Sequence, residues 1–137
     1  VNNGFNPMRW VCSERGCYNT KHRPKIEIFA ECLPGRIALT DIDATVEVNG
    51  HFLFLEFKSP TIRELPTGQR IYFERLTALS DKIVVVVVFA DAENMACRAI
   101  RTIHAGKTSE IEICSIDGLK ERLRKWANKA VARKRAA

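Results

Sequence analysis

The chain has no apolar stretch near the ~20 residues that cross a bilayer. Its longest run, Ile83–Ala90 (IVVVVVFA), has the length of a buried strand. A membrane partner is therefore not expected. No charged-then-apolar leader opens the sequence, so a cytoplasmic protein is the expectation. Neither G-x-x-x-x-G-K-[ST] nor G-x-G-x-x-G occurs, which removes the glycine cradles that hold nucleotide phosphates, and no organic cofactor is expected. Internal repeats and low-complexity tracts are missing as well. Five cysteines are present, but a cytoplasmic chain does not build a disulfide framework from them.

What the chain does have is length for one domain with a real core and an excess of positive charge. Lys and Arg number 22 against 16 Asp and Glu, a net charge of +6 that suits a polyanionic partner. Much of the excess sits in Lys120–Arg135, on the helix expected over Ile116–Val131 and the tail that follows it. That basic helix reads either as a phosphate-tracking surface or as a solvated face. Its apolar side, Leu119, Leu123 and Trp126, should survive removal of everything after Asn128.

The densest chemistry lies in Thr40–Lys58, TDIDATVEVNGHFLFLEFK. Asn49-Gly50 between β-branched and aromatic runs is a hairpin signal, because both turn positions need positive φ. A two-residue loop there sets Val48 opposite His51, Asp43 opposite Glu56 and Asp41 opposite Lys58. Side chains alternate along a strand, so these four polar groups share one sheet face. Ile42, Ala44, Val46, Val48, Leu53, Leu55 and Phe57 share the other, as a core face. Directly opposed carboxylates have Cβ atoms only about 4.5–5.5 Å apart and repel. A cation between them removes the conflict, and Mg²⁺ binds through one or two carboxylates with water and phosphate oxygens. The alternative is a solvated Glu56 beside an Asp41–Lys58 salt bridge. Against it stands the apolar run Phe52–Phe57, which reads as a strand covered on both faces. Charges inside such a strand cost several kcal/mol, roughly, unless paired.

This pattern resembles the PD-(D/E)xK nuclease superfamily, whose signature is an Asp on one strand followed by Glu-x-Lys on the next. The matching residues are Asp43 and Glu56-Phe57-Lys58; Ile42 stands where the family has proline, as Thr40 does before Asp41, which is an additional acidic candidate. The resemblance is closest to Holliday-junction resolvases of the archaeal type and related phage nucleases, and covers Pro24 to Phe89. It implies a restriction-endonuclease-like α/β fold with an αβββαβ core, a central mixed sheet flanked by helices. It also implies a Mg²⁺- or Mn²⁺-dependent deoxyribonuclease in a bacterial or phage-infected cell, with DNA as partner and a homodimer as an option. Asp43 and Glu56 would ligate the metal, and Lys58 would assist the attacking water. Gln69, in the first turn of the following helix, matches a site glutamine of many members. An acidic residue on the first helix points at the metal in that family, so Glu27 and Glu31 are candidates, with a solvated helix flank as the bland reading. Arg63, Arg70, Arg75, Lys120 and Arg124 are the candidate phosphate contacts.

The expected organisation is one nuclease domain over 1–137: an irregular segment (1–23), a catalytic core (24–89) and an extension with the basic helix (90–137). Helices are expected from Pro24 to Pro34, over Gly68–Leu79 with Thr67 as cap, and over Asp91–His104; Glu110–Cys114 alternates like an edge strand. Cys32, Cys97 and Cys114 read as small core residues. Cys12 and Cys17, with His22 and Cys32, are the donors a structural Zn²⁺ would use; free thiols are the competing reading. The competing function is a non-catalytic nucleic-acid-binding module with a zinc-stabilised N-terminal loop.

Overall fold

The structure, a computed structural model, describes residues 23–133. Two units divide the chain, 1–40 and 41–137. In the first, Ile26–Cys32 forms a 3-10 helix with no buried residue, where the sequence predicts a longer helix with an apolar stripe. Cys32 is accordingly exposed and not a core residue. Gly35 takes a left-handed φ of 61° in a turn closed by Ile37 N–H donating to the Pro34 carbonyl. The chain from there to Thr40 joins no strand, so among the described residues two strands, not three, precede the next helix.

The second unit starts with the hairpin, β1 (Ala44–Val48) and β2 (His51–Lys58). Asn49 and Gly50 have φ of 49° and 82°, the left-handed pair that such a turn demands. Helix α1 (Thr67–Ala78) then crosses to β3 (Ile83–Ala90), which lies parallel to β2. Pro66, not Thr67, is the N-cap of α1, and no side chain caps it. A proline there pre-sets the φ of a chain entering a helix.

Residues 97–104, expected in a helix, instead form β4 (Cys97–His104), antiparallel to β3. Turn chemistry drives the reversal. Asp91 Oδ1 accepts from the backbone N–H groups of Glu93 and Asn94, and Asn94 Oδ1 accepts from Ala96 N–H. As a strand, the segment buries Ala99, Ile100 and Ile103 completely or nearly so. Burying a large aliphatic side chain contributes about 1.5–3 kcal/mol, whereas helix propensities differ by at most ~0.7 kcal/mol per ordinary residue. The core demand of β3 wins. Two short strands, β5 (Lys107–Thr108) and β6 (Glu112–Ile113), also pair with β4. Helix α2 (Ile116–Ala132) follows, its N-cap Ser115 accepting from Gly118 N–H.

The described residues thus give an α/β unit around a mixed sheet of order β1-β2-β3-β4-β5. Val85–Ala90 are buried, so β3 is covered on both faces. One face joins Leu53, Val86, Val88 and Ile100 to Leu119, Leu123 and Trp126 of α2. The other joins Phe54, Val85, Val87, Phe89 and Ile103 to Phe73 and Leu76 of α1. Val46, assigned by alternation to the core face, is 46% exposed, on the edge strand β1. Ala130 is 3% exposed, and its carbonyl and that of Val131 accept from the Asn49 side-chain amide at 3.2 and 3.4 Å. A cut after Asn128 would therefore remove part of the packed unit. No helix among the described residues is long and apolar enough to cross a membrane.

Candidate acidic site at the end of strand β2

The observed register pairs Val48 with His51 and Ala44 with Leu55, as the turn predicts. The ladder ends at Ala44, and the next residue, Asp43, uses its side chain instead. Its Oδ2 accepts from the Phe57 backbone N–H at 2.7 Å. That bond fixes an exposed carboxylate beside the Glu56-Phe57-Lys58 triplet.

Glu56 points to the α1 face, in register with Val87 of the buried central strand, and is only 5% exposed. Its Oε1 accepts from Gln69 Nε2 at 3.2 Å and lies 3.5 Å from Lys58 Nζ. Its Oε2 is buried with no hydrogen-bond partner, and so is Oε1 of Gln69. The amide orientation is chemically forced, since the opposite one would set an acceptor against the carboxylate. Each orphaned buried acceptor costs about 1–3 kcal/mol. Burial pushes the Glu56 carboxyl above its ordinary pKa of 4.5, and the Asp43 charge pushes it further. The ammonium of Lys58 and the hydrogen bond from Gln69 oppose this without cancelling it. The carboxylate is thus short of positive charge.

Lys58 is itself largely buried, with 19% of its side chain exposed, in register with Phe89. Gln69 reaches Glu56 because α1 begins at Thr67, which sets position 69 in the first turn above β2. The sequence-derived quartet Asp43, Glu56, Lys58 and Gln69 is brought together. The other candidates are distributed differently. Asp41 is exposed, ahead of β1 and outside the ladder. Glu27 and Glu31 fall on the 3-10 helix of the first unit, where Glu27 pairs with Arg23 at 2.7 Å. Arg63 and Arg75 are exposed, and Arg70 pairs with Glu74 at 2.7 Å. Lys120 and Arg124 are on α2, which covers the opposite sheet face from Glu56, and Arg124 lies 3.4 Å from Glu121. Those two do not join the acidic site. Cys12, Cys17 and His22 lie outside the described residues.

Two further contributors come from β4. Arg98 donates from Nε to the Pro60 carbonyl at 2.7 Å and from Nη2 to the Ile62 carbonyl at 3.2 Å, with its guanidinium 5.8 Å from the Phe89 ring centroid. Arg101 Nε donates to the Arg63 carbonyl at 3.0 Å. Both tie down the linker that leaves Lys58. A strand reading of CRAIRTIH would have exposed them, and its Ile-Thr-Ile content after the Asp/Asn-rich turn was the available signal.

The donors converging here are hard oxygens from Asp43, Glu56 and Gln69, with one ammonium alongside. Among the described residues, no three His, Cys, Asp or Glu side chains cluster as a ready metal-binding group. A divalent ion would rest on the carboxylate pair and draw its remaining ligands from backbone, solvent or substrate, as Mg²⁺ commonly does. Comparison with protein-family models, with curated proteins and with solved structures gave no match.

Proposed function

We propose that this chain is a metal-dependent nuclease of the PD-(D/E)xK kind, hydrolysing phosphodiester bonds of DNA at the Asp43–Glu56–Lys58 site. The observation that carries the reading is Glu56: nearly buried, held by Lys58 and Gln69, beside Asp43, and with one oxygen lacking any partner. A carboxylate in that state answers a cation's needs better than the fold's. The sheet-and-helix arrangement β1–β2–α1–β3 supplies the elements on which the resemblance rests, with a core one strand shorter at its start than αβββαβ.

Asp43 and Glu56, with the Phe57 carbonyl, would hold Mg²⁺ or Mn²⁺. When bound, such an ion supplies Lewis-acid charge to a phosphate oxygen and acidifies water at neutral pH. Gln69 keeps Glu56 in its rotamer through the 3.2 Å hydrogen bond. The Phe57 N–H does the same for Asp43. Lys58, whose ammonium is anchored 3.5 Å from Glu56, orients the attacking water and balances charge that develops on the phosphate. Arg63, Arg70 and Arg75 are the candidates for holding the backbone near the site.

The test is incubation of the chain with branched, single-stranded and linear duplex DNA in Mg²⁺, in Mn²⁺ and in EDTA. Cleavage that needs metal and disappears in Glu56→Gln supports the reading. Metal-independent cleavage, or full activity in Glu56→Gln, overturns it.

A further inference from the structure

A cleft opens at the other end of the sheet from the acidic site, about 390 Å³ in volume. That is the size of a small-ligand pocket. It lies where β2 and β3 begin and α2 ends. Along β2, His51 and Glu56 are five residues apart, about 16 Å at the rise of an extended strand. The cleft is therefore not part of the acidic site.

Its lining has a specific chemistry. Lys82, Lys129 and Arg133 face it, and none of the three forms an ion pair among the described residues. Trp126 lines the same cleft, half-buried against the α2-side core. His51, at the start of β2, is only 8% exposed. Neither its imidazole nor the Trp126 indole N–H hydrogen-bonds a described residue. Among the described lining residues, Asp81 is the one carboxylate, against the three cations Lys82, Lys129 and Arg133. The C-terminal carbonyls of α2 would repel an anion. Two of them, of Ala130 and Val131, are already taken by the Asn49 amide.

We infer that this cleft binds a nucleotide unit, its phosphate held by Lys82, Lys129 and Arg133 and its base against Trp126, at a site separate from Asp43 and Glu56. Basic groups around an aromatic ring fit that ligand, because cations meet the phosphate and the ring stacks on any base. The phosphate-bearing unit is either a free nucleotide or part of a strand, and the experiment tells these apart.

In full-length Trp10→Phe protein, Trp126 is the sole tryptophan and reports the cleft by fluorescence. It is titrated with dAMP, with deoxyadenosine, with inorganic phosphate and with 5′-phosphorylated (dT)4, all in EDTA. Saturable quenching by dAMP is expected, at least fivefold tighter than by deoxyadenosine or by phosphate alone. Lys129→Glu and Lys82→Glu, both at exposed positions, should each weaken dAMP at least fivefold, while Glu56→Gln should leave it within twofold. Tighter binding of (dT)4 than of dAMP identifies a strand site; equal or weaker binding identifies a free-nucleotide site. Non-saturable quenching, no preference for the phosphate, or unchanged affinity in both lysine variants overturns the inference. So does loss of binding in Glu56→Gln, or equal competition by poly-glutamate.

Discussion

The two faces of β2 use the same strand for opposite ends. Toward α2, Leu53, Leu55 and Phe57 continue the apolar core without interruption. Toward α1, Phe54 begins an equally apolar face, but Glu56 and Lys58 break it. Both faces lie against a helix, α2 on one side and α1 on the other, but their side-chain chemistry differs. The α2 face gains stability with every residue. The α1 face holds a carboxylate that burial disfavours and an oxygen with no partner. A fold alone has no use for that second arrangement, whereas a cation site does.

Substitutions on the two faces should therefore separate stability from activity. Lys58→Met is expected to lower DNA cleavage about 10³-fold, roughly 4 kcal/mol of transition-state stabilisation, with folding retained; steady-state cleavage and circular dichroism check both. Leu53→Ala should do the reverse. Its side chain is 5% exposed in the core, so truncation should cost about 2–5 kcal/mol in urea unfolding, with activity per folded molecule nearly unchanged. If Lys58→Met unfolds the protein, or Leu53→Ala abolishes cleavage while folded, the division of labour between the faces fails.

A smaller effect tests the join between hairpin and α2. Asn49→Ala removes the donor to the Ala130 and Val131 carbonyls and should cost about 1 kcal/mol. It also loses a residue tolerant of its left-handed φ of 49°. Asn49→Gly, which keeps the turn, isolates the lost hydrogen bonds. Chemical denaturation of the pair separates the two contributions.

The acidic site was legible because a hairpin is local. Asn49-Gly50 fixes the turn, the turn fixes the register, and the register brings Asp43 beside Glu56-Phe57-Lys58. Gln69 was legible only through the family resemblance; the structure gives the physical reason, a first-turn position above β2. The segment 91–104 was not legible from periodicity. Ala99 and Ile103 are one helical turn apart, yet they also lie on one face of a strand. What decides is the uncovered edge of β3, a long-range fact. Arg98 and Arg101 went unseen for the same reason. The basic helix α2 was placed correctly in sequence, but which sheet face it covers depends on Leu119, Leu123 and Trp126 packing against Leu53 and Val86. No local pattern encodes that choice.

The smallest effect is on pH. Because the Glu56 carboxyl titrates above 4.5 in the fold, the folded state keeps a proton that the unfolded chain has already lost. As pH rises from about 4.5 through the raised value, metal-free stability should fall. Glu56→Gln mimics the protonated form, so its advantage over the wild type should be greatest at neutral pH and fade toward pH 4.5. A shift of about 2–6 °C in Tm corresponds to a change on the order of 1 kcal/mol in a unit of this size. An advantage that grows in acid would contradict the sign.

The most direct test is the melting temperature of wild type and Glu56→Gln at neutral pH, each in EDTA and in saturating Mn²⁺. A ligand present at a hundred times its Kd stabilises by about 2.7 kcal/mol. The account predicts that Glu56→Gln melts higher than wild type in EDTA, and that Mn²⁺ raises the wild type alone. Equal Mn²⁺ shifts in both proteins, or a less stable Glu56→Gln in EDTA, would contradict the claim that Glu56 is kept for a cation.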